Sequence, residues 1–159
     1  MNFPANVLIT GIGATLLVDL WAWLRRKLFG TPLPDYRLVG RWIAYMPRGR
    51  FRHESIAAST ALRGEHLLGW LTHYLTGIAF AAILQILVGM HQRPALAPAL
   101  LFGIATVAAP FLVMQPGMGA GIAASRSRRP GAARLQSLLT HAVFGLGLYL
   151  AGNFIPLRP

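Results

Sequence analysis

Four polar side chains interrupt otherwise apolar stretches of this chain: Asp19, His73, Gln115 and His141. Their types suit several kinds of chemistry. Two neutral imidazoles and a carboxylate are acceptable ligands for a divalent metal such as zinc or iron. Two histidines on different helices can also ligate a haem iron. An Asp–His pair takes up and releases a proton near neutral pH, the chemistry of proton-coupled carriers and of acid–base catalysis on lipid-soluble substrates. The remaining use is structural: a carboxylate bonded to an imidazole pins helices together with no turnover. An unpaired Asp at a helix centre costs about 3 kcal/mol on insertion scales. Asp19 therefore needs a partner, and His73 and His141 are the available ones.

The elements that must position these groups are long apolar helices. Leu67–Met90 contains no Asp, Glu, Lys or Arg. It is long enough to cross a bilayer of about 30 Å at roughly 1.5 Å per residue. Three further runs resemble it, predicting helices over 5–24, 96–124 and 135–155. Basic residues Arg25, Arg26 and Lys27 are expected to stop the first. Pro110 and Pro116 are expected to kink the third. Within the long loop 25–66, Asp35 can cap a short helix from Tyr36 to Met46. Leu38, Trp42, Tyr45 and Met46 share one face of it, a pattern for a helix lying in the membrane interface. Pro47 to Arg50 reads as a turn. The second polar loop spans 125–134.

Lys and Arg are distributed unevenly. Loop 25–66 carries nine, Arg25, Arg26, Lys27, Arg37, Arg41, Arg48, Arg50, Arg52 and Arg63; loop 125–134 carries four. The opposite side holds Arg93 and Arg158 alone. This bias predicts that both loops are cytoplasmic and both termini periplasmic. The first helix then descends while the second and fourth ascend, which brings Asp19, His73 and His141 to a similar depth in the cytoplasmic half. Gln115 approaches that level if helix three ends near Ser125. Small residues fall on the same helical stripes: Gly11 and Thr15 with Asp19, Gly77 with His73, and Gly145 with His141. Gly117 and Gly121 have the small-xxx-small spacing of close helix contacts.

Composition narrows the classes further. Of 159 residues, 55% are hydrophobic and 12% charged, and there is no cysteine, which excludes disulfides, thiolate metal sites and iron–sulfur clusters. The net charge of +11 fits a membrane protein with its positive side inward better than a nucleic-acid binder. The basic–aromatic loop, with Arg25, Arg26, Lys27, Arg37, Arg41, Arg48, Arg50 and Arg52, is expected on anionic lipid headgroups, at about 1 kcal/mol per basic residue near the surface. His53, Glu54 and His66 match no ligand spacing. The N-terminal run lacks a basic n-region and a small-residue cleavage site, and reads as a retained helix. Phosphate loops, nucleophile elbows and His-Glu-x-x-His are absent.

Several segments together resemble a known family. They are Gly11 to Thr15 leading to Asp19 and Trp21, Val39 to Trp42, Pro47 to His53, Ala109 to Phe111 with Gln115 and Pro116, Gly119 to Ser125, and Leu138 to Gly145. The family is that of small bacterial inner-membrane proteins catalogued as domain of unknown function 2938. The resemblance implies four membrane helices and no particular activity. The expected architecture is thus a single all-α membrane domain, an antiparallel bundle of four transmembrane helices with a short interfacial helix in the first cytoplasmic loop. The expected centre is the Asp19–His73–His141 group with Gln115. It either holds a proton, a divalent metal or haem in a carrier or binding protein, or only pins the bundle of a structural or assembly partner. Catalysis on a lipid-soluble substrate is the lesser alternative to both. A homo-oligomer or a membrane-protein partner is compatible with both.

Overall fold

The computed structural model describes residues 3–89 and 92–154. All secondary structure among them is helical. Helix α1 spans Phe3–Phe29, α2 Tyr36–Tyr45, α3 Glu65–Val88, α4 Leu96–Ala105, α5 Gln115–Met118 and α6 Pro130–Phe154. A π-helical turn, Pro110–Met114, leads into α5. Among the described residues, four stretches are long and apolar enough to cross a membrane: Phe3–Phe29, Glu65–Val88, Leu96–Met118 and Pro130–Phe154.

Several boundaries differ from those read in the sequence, each for a local reason. Helix α1 continues past Arg25, Arg26 and Lys27 to Phe29. Basic side chains near a helix C-terminus favour the helix dipole and do not end it. The stop is Gly30, at φ 65°, whose N–H bonds Arg26 O at 3.1 Å. Helix α3 begins two residues before Leu67, and Met90, its expected end, lies outside the described residues. Helix α6 begins at Pro130 rather than Leu135, because proline at the first helical position loses no hydrogen bond. Its expected end, Ile155, also lies outside the described residues.

The third span shows the largest difference. The helix is not continuous to Ala124, which falls in a separate 3-10 turn, Ile122–Ala124. Pro110 has no N–H to give the preceding turn, and the chain widens there into the π-helical turn. Helix α5 then ends at Gly119, whose φ of 95° is left-handed and suits glycine. The Ala120 N–H returns to Gln115 O at 2.8 Å and closes the terminus. Gly117 and Gly121 consequently do not share one helix. Gly117 lies under the Trp42 indole, and Gly121 faces Ser125 and Arg126.

The chain divides into two compact units. Within the described residues, the first comprises 3–33, 74–106 and 138–154, and the second 34–73 and 107–137. The first has a core of Ala14, Val18, Ala81, Leu84, Ala99, Phe144 and Leu148, with Phe80 and Phe102 packed against it. Helices close to near backbone contact where side chains are smallest. A Cβ on Gly103 would meet the Gly145 backbone, one on Gly147 the Ala14 backbone, and one on Gly77 the Thr15 hydroxyl.

The second unit has a core of Trp42, Tyr45 and Ile56, backed by Leu38, Ile43, Leu62, Met114 and Met118. Asp35 caps α2, accepting the Arg37 N–H at 3.1 Å. Helix α2 crosses the start of α3 closely: Gly40 sits on the Glu65 carbonyl and Gly69 on that of Tyr36.

Candidate functional site

Asp19 and His141 belong to the first unit, His73 and Gln115 to the second. Each ionisable member of the group meets a hydroxyl. Asp19 on α1 accepts a hydrogen bond from Tyr74 Oη on α3 at 2.9 Å. Gly11 and Thr15, on the same stripe of α1, lie against Ile78 and Gly77. The two helices are therefore drawn close enough for the tyrosine to reach the carboxylate.

His141 on α6 is held by Thr106, just beyond α4, with Nδ1 to Oγ1 at 2.8 Å. Thr106 gives its one hydrogen to Gly103 O. Its oxygen is then left as an acceptor for the His141 tautomer that carries a proton on Nδ1. Thr106 is itself buried, and Gly103 beside it is the glycine on which Gly145 of α6 packs.

His73 on α3 bonds Tyr36 Oη through Nε2 at 3.0 Å, and its ring stacks on the Tyr36 ring at 4.3 Å between centroids. Trp70 packs against both rings. Gln115, at the head of α5, has its Oε1 buried with no hydrogen-bond partner. Among the described residues, no group of three or more His, Asp or Glu is gathered to hold a metal ion. His53, Glu54 and His66 accordingly do not form such a group.

The hydroxyl partners escaped the sequence reading. Tyr74, Tyr36 and Thr106 look like ordinary membrane-helix or interface residues. One signal was available: Tyr74 adjoins His73 on an apolar helix, and buried tyrosine hydroxyls seek acceptors.

The basic residues also separate by environment. Arg41 is turned into the fold. Its guanidinium pairs with Glu65 through two bonds of 2.8 Å, and both side chains are 11% exposed. The same guanidinium reaches Ile56 O, Ala57 O and Ser59 O. Glu65 also accepts the Leu62 N–H at 2.9 Å. Arg37 pairs with Asp35 at 2.9 Å on the surface, and the Arg37 guanidinium holds the Asp35 carboxyl below its usual range. Arg25 is buried. Arg48 and Arg50 both lie over the Tyr45 ring, with guanidinium carbons 6.0 and 4.9 Å from its centroid. Phe51 beside them is exposed.

The loop behind this face is stitched to the elements around it. Trp42 Nε1 donates to Phe51 O at 2.9 Å, and Tyr45 Oη to Thr60 O at 3.1 Å. The His53 N–H reaches Gly117 O at 2.9 Å. The buried His53 ring meets Ser59 Oγ through Nδ1 at 2.9 Å and packs edge-on to Tyr45. Loop 50–64 is thus part of a folded unit.

Comparison with known families adds no chemistry to this arrangement. The family model described as a protein of unknown function, DUF2938, matches residues 8–155, and the chain belongs to that family. No curated protein and no solved structure matches it.

Proposed function

We propose that this chain is a four-span protein of the bacterial inner membrane with both termini periplasmic. In this reading it serves as a non-catalytic structural or assembly partner, and Asp19, His73 and His141 pin its helices. The observation that carries the role is the matching of each of these side chains with a hydroxyl: Tyr74, Tyr36 and Thr106 respectively. The spanning reading is supported by large apolar side chains left exposed along the long helices, among them Leu16, Leu75, Leu101 and Leu139. In water such surfaces would be a liability, and in lipid they are the expected boundary. The orientation rests on the Lys and Arg bias between loops. The basic face of Arg48, Arg50 and Arg52 around Phe51 would lie on anionic headgroups.

Metal analysis and a visible absorption spectrum on detergent-purified protein test this role, with His73→Ala and His141→Ala beside wild type. The expected result is a colourless protein without stoichiometric metal, and variants that melt earlier than wild type. A stoichiometric metal or a Soret band, lost in both variants, would replace the pinning role with a cofactor site. Reporter fusions at the two termini and in loop 25–66 test the orientation; a cytoplasmic N-terminus would overturn it.

A further inference from the structure

Two donors on one face of α1 stand without acceptors. Arg25 is 8% exposed, its Nε is buried with no hydrogen-bond partner, and no carboxylate pairs with it among the described residues. One turn earlier, Trp21 Nε1 is likewise buried without a partner. The residues are neighbours at i and i+4, and the Arg25 guanidinium carbon lies 5.7 Å from the Trp21 ring centroid. A guanidinium cannot shed its proton to escape burial, and an indole N–H is only a donor. What completes this pair must accept hydrogen bonds, and a negative charge on it would also offset the buried cation.

We propose that Trp21 and Arg25 form a site for the phosphodiester of one anionic phospholipid, bound at the cytoplasmic end of α1. The guanidinium fork would take two phosphate oxygens and the indole N–H a third acceptor. The flanking side chains favour a lipid over a free anion. Leu20, Leu24 and Leu28 on the same helix are exposed and offer an apolar surface for acyl chains. Tryptophan and arginine at one level are also what a membrane interface selects. This site differs from general adhesion of the basic loop, because Arg26 and Lys27, next in sequence, are exposed and would add only diffuse attraction. The proposal rests on the spanning reading given above.

The test uses full-length protein in a neutral detergent, followed by thermal unfolding. Short-chain phosphatidylglycerol, inorganic phosphate and a phosphate-free glyceride are titrated separately. Phosphatidylglycerol should raise the wild-type midpoint saturably, and the other two should not. Arg25→Gln should weaken that response roughly tenfold or more, since a charge-assisted bond is lost. Trp21→Phe, which keeps the ring and removes the N–H, should weaken it by roughly threefold to tenfold. Arg26→Gln and Lys27→Gln should stay within about twofold, as screened surface charges do. If Arg25→Gln does not fold, Arg25→Lys keeps the charge without the fork and should still bind more weakly than wild type.

Wild-type affinity in both Trp21→Phe and the folded Arg25 variant would overturn the site. Equal losses in all four variants would reduce it to diffuse charge and overturn it too. An equal wild-type response to inorganic phosphate would overturn the lipid as its occupant. Carbonate extraction of cell membranes reads the spanning proposal separately. Release of the protein there would sink that reading, whereas loss of selectivity in detergent would sink the site alone.

Discussion

In the first unit, helices meet through the smallest side chains available. Gly103 and Gly145 bring α4 and α6 together, Gly147 brings α6 onto Ala14, and Gly77 brings α3 onto Thr15. This unit's ionisable side chains Asp19 and His141 are bonded to hydroxyls on neighbouring elements. The second unit is held by charge and by side-chain donors aimed at backbone carbonyls. Arg41 alone serves Glu65 and three carbonyls, while Trp42 and Tyr45 serve two more. The difference follows from the backbone. In long helices the main chain satisfies itself, so packing can gain only from close approach. The irregular chain from Met46 to Gly64 leaves carbonyls open, and a buried carbonyl without a donor is costly. Side chains with several donors on stiff planar groups are the economical remedy.

The comparison breaks most visibly at Arg41. Arg41→Ala should cost about 3 kcal/mol, since it strands Glu65 and the carbonyls it served. Thermal unfolding in detergent would read this, together with proteolysis appearing first in loop 50–64. Glu65→Gln keeps one acceptor and should cost clearly less; equal costs would mean that the carbonyl contacts contribute little. In the first unit the matching test is Gly103→Ala. Its new methyl lands on the Gly145 backbone, which cannot rotate away, and a loss of about 2 kcal/mol is expected from such overpacking. A neutral result would show that α4 and α6 separate easily.

Removing a hydroxyl should matter less. Tyr74→Phe and Thr106→Val should each cost about 1 kcal/mol or below, the usual worth of a polar contact between membrane helices. A loss several times larger in either variant would mark that contact as the chief tie of its unit.

The smallest effect belongs to the Asp35–Arg37 pair, which is largely exposed. The Asp35 carboxyl sits below its unfolded value because Arg37 bonds it. Whatever stability the pair supplies is present at neutral pH and is lost as pH falls through the lowered folded pKa. Asp35→Asn should therefore melt slightly earlier than wild type at pH 7, and the two should converge under acid. Divergence on acidification would reverse that assignment.

The local signals in the sequence were short-range ones, and they settled a great deal. The four apolar stretches, the Asp35 cap and the turn at Gly49 each depend on residues within a few positions of one another, where composition and spacing are sufficient. Which polar groups would need partners was legible as well, since an ionisable residue inside an apolar run announces its own cost. The identity of those partners was not. Tyr74 lies 55 residues from Asp19, His141 is 35 from Thr106, and Glu65 is 24 from Arg41. No periodicity reports on separations of that size; only the approach of the helices selects among the available hydroxyls and carboxylates. Nor does the sequence set Arg25, which is buried, or Arg41, which is largely covered, apart from their exposed basic neighbours. The approach of the helices also made Gly119 an end of helix, where its left-handed backbone serves a close contact with the Glu54 carbonyl.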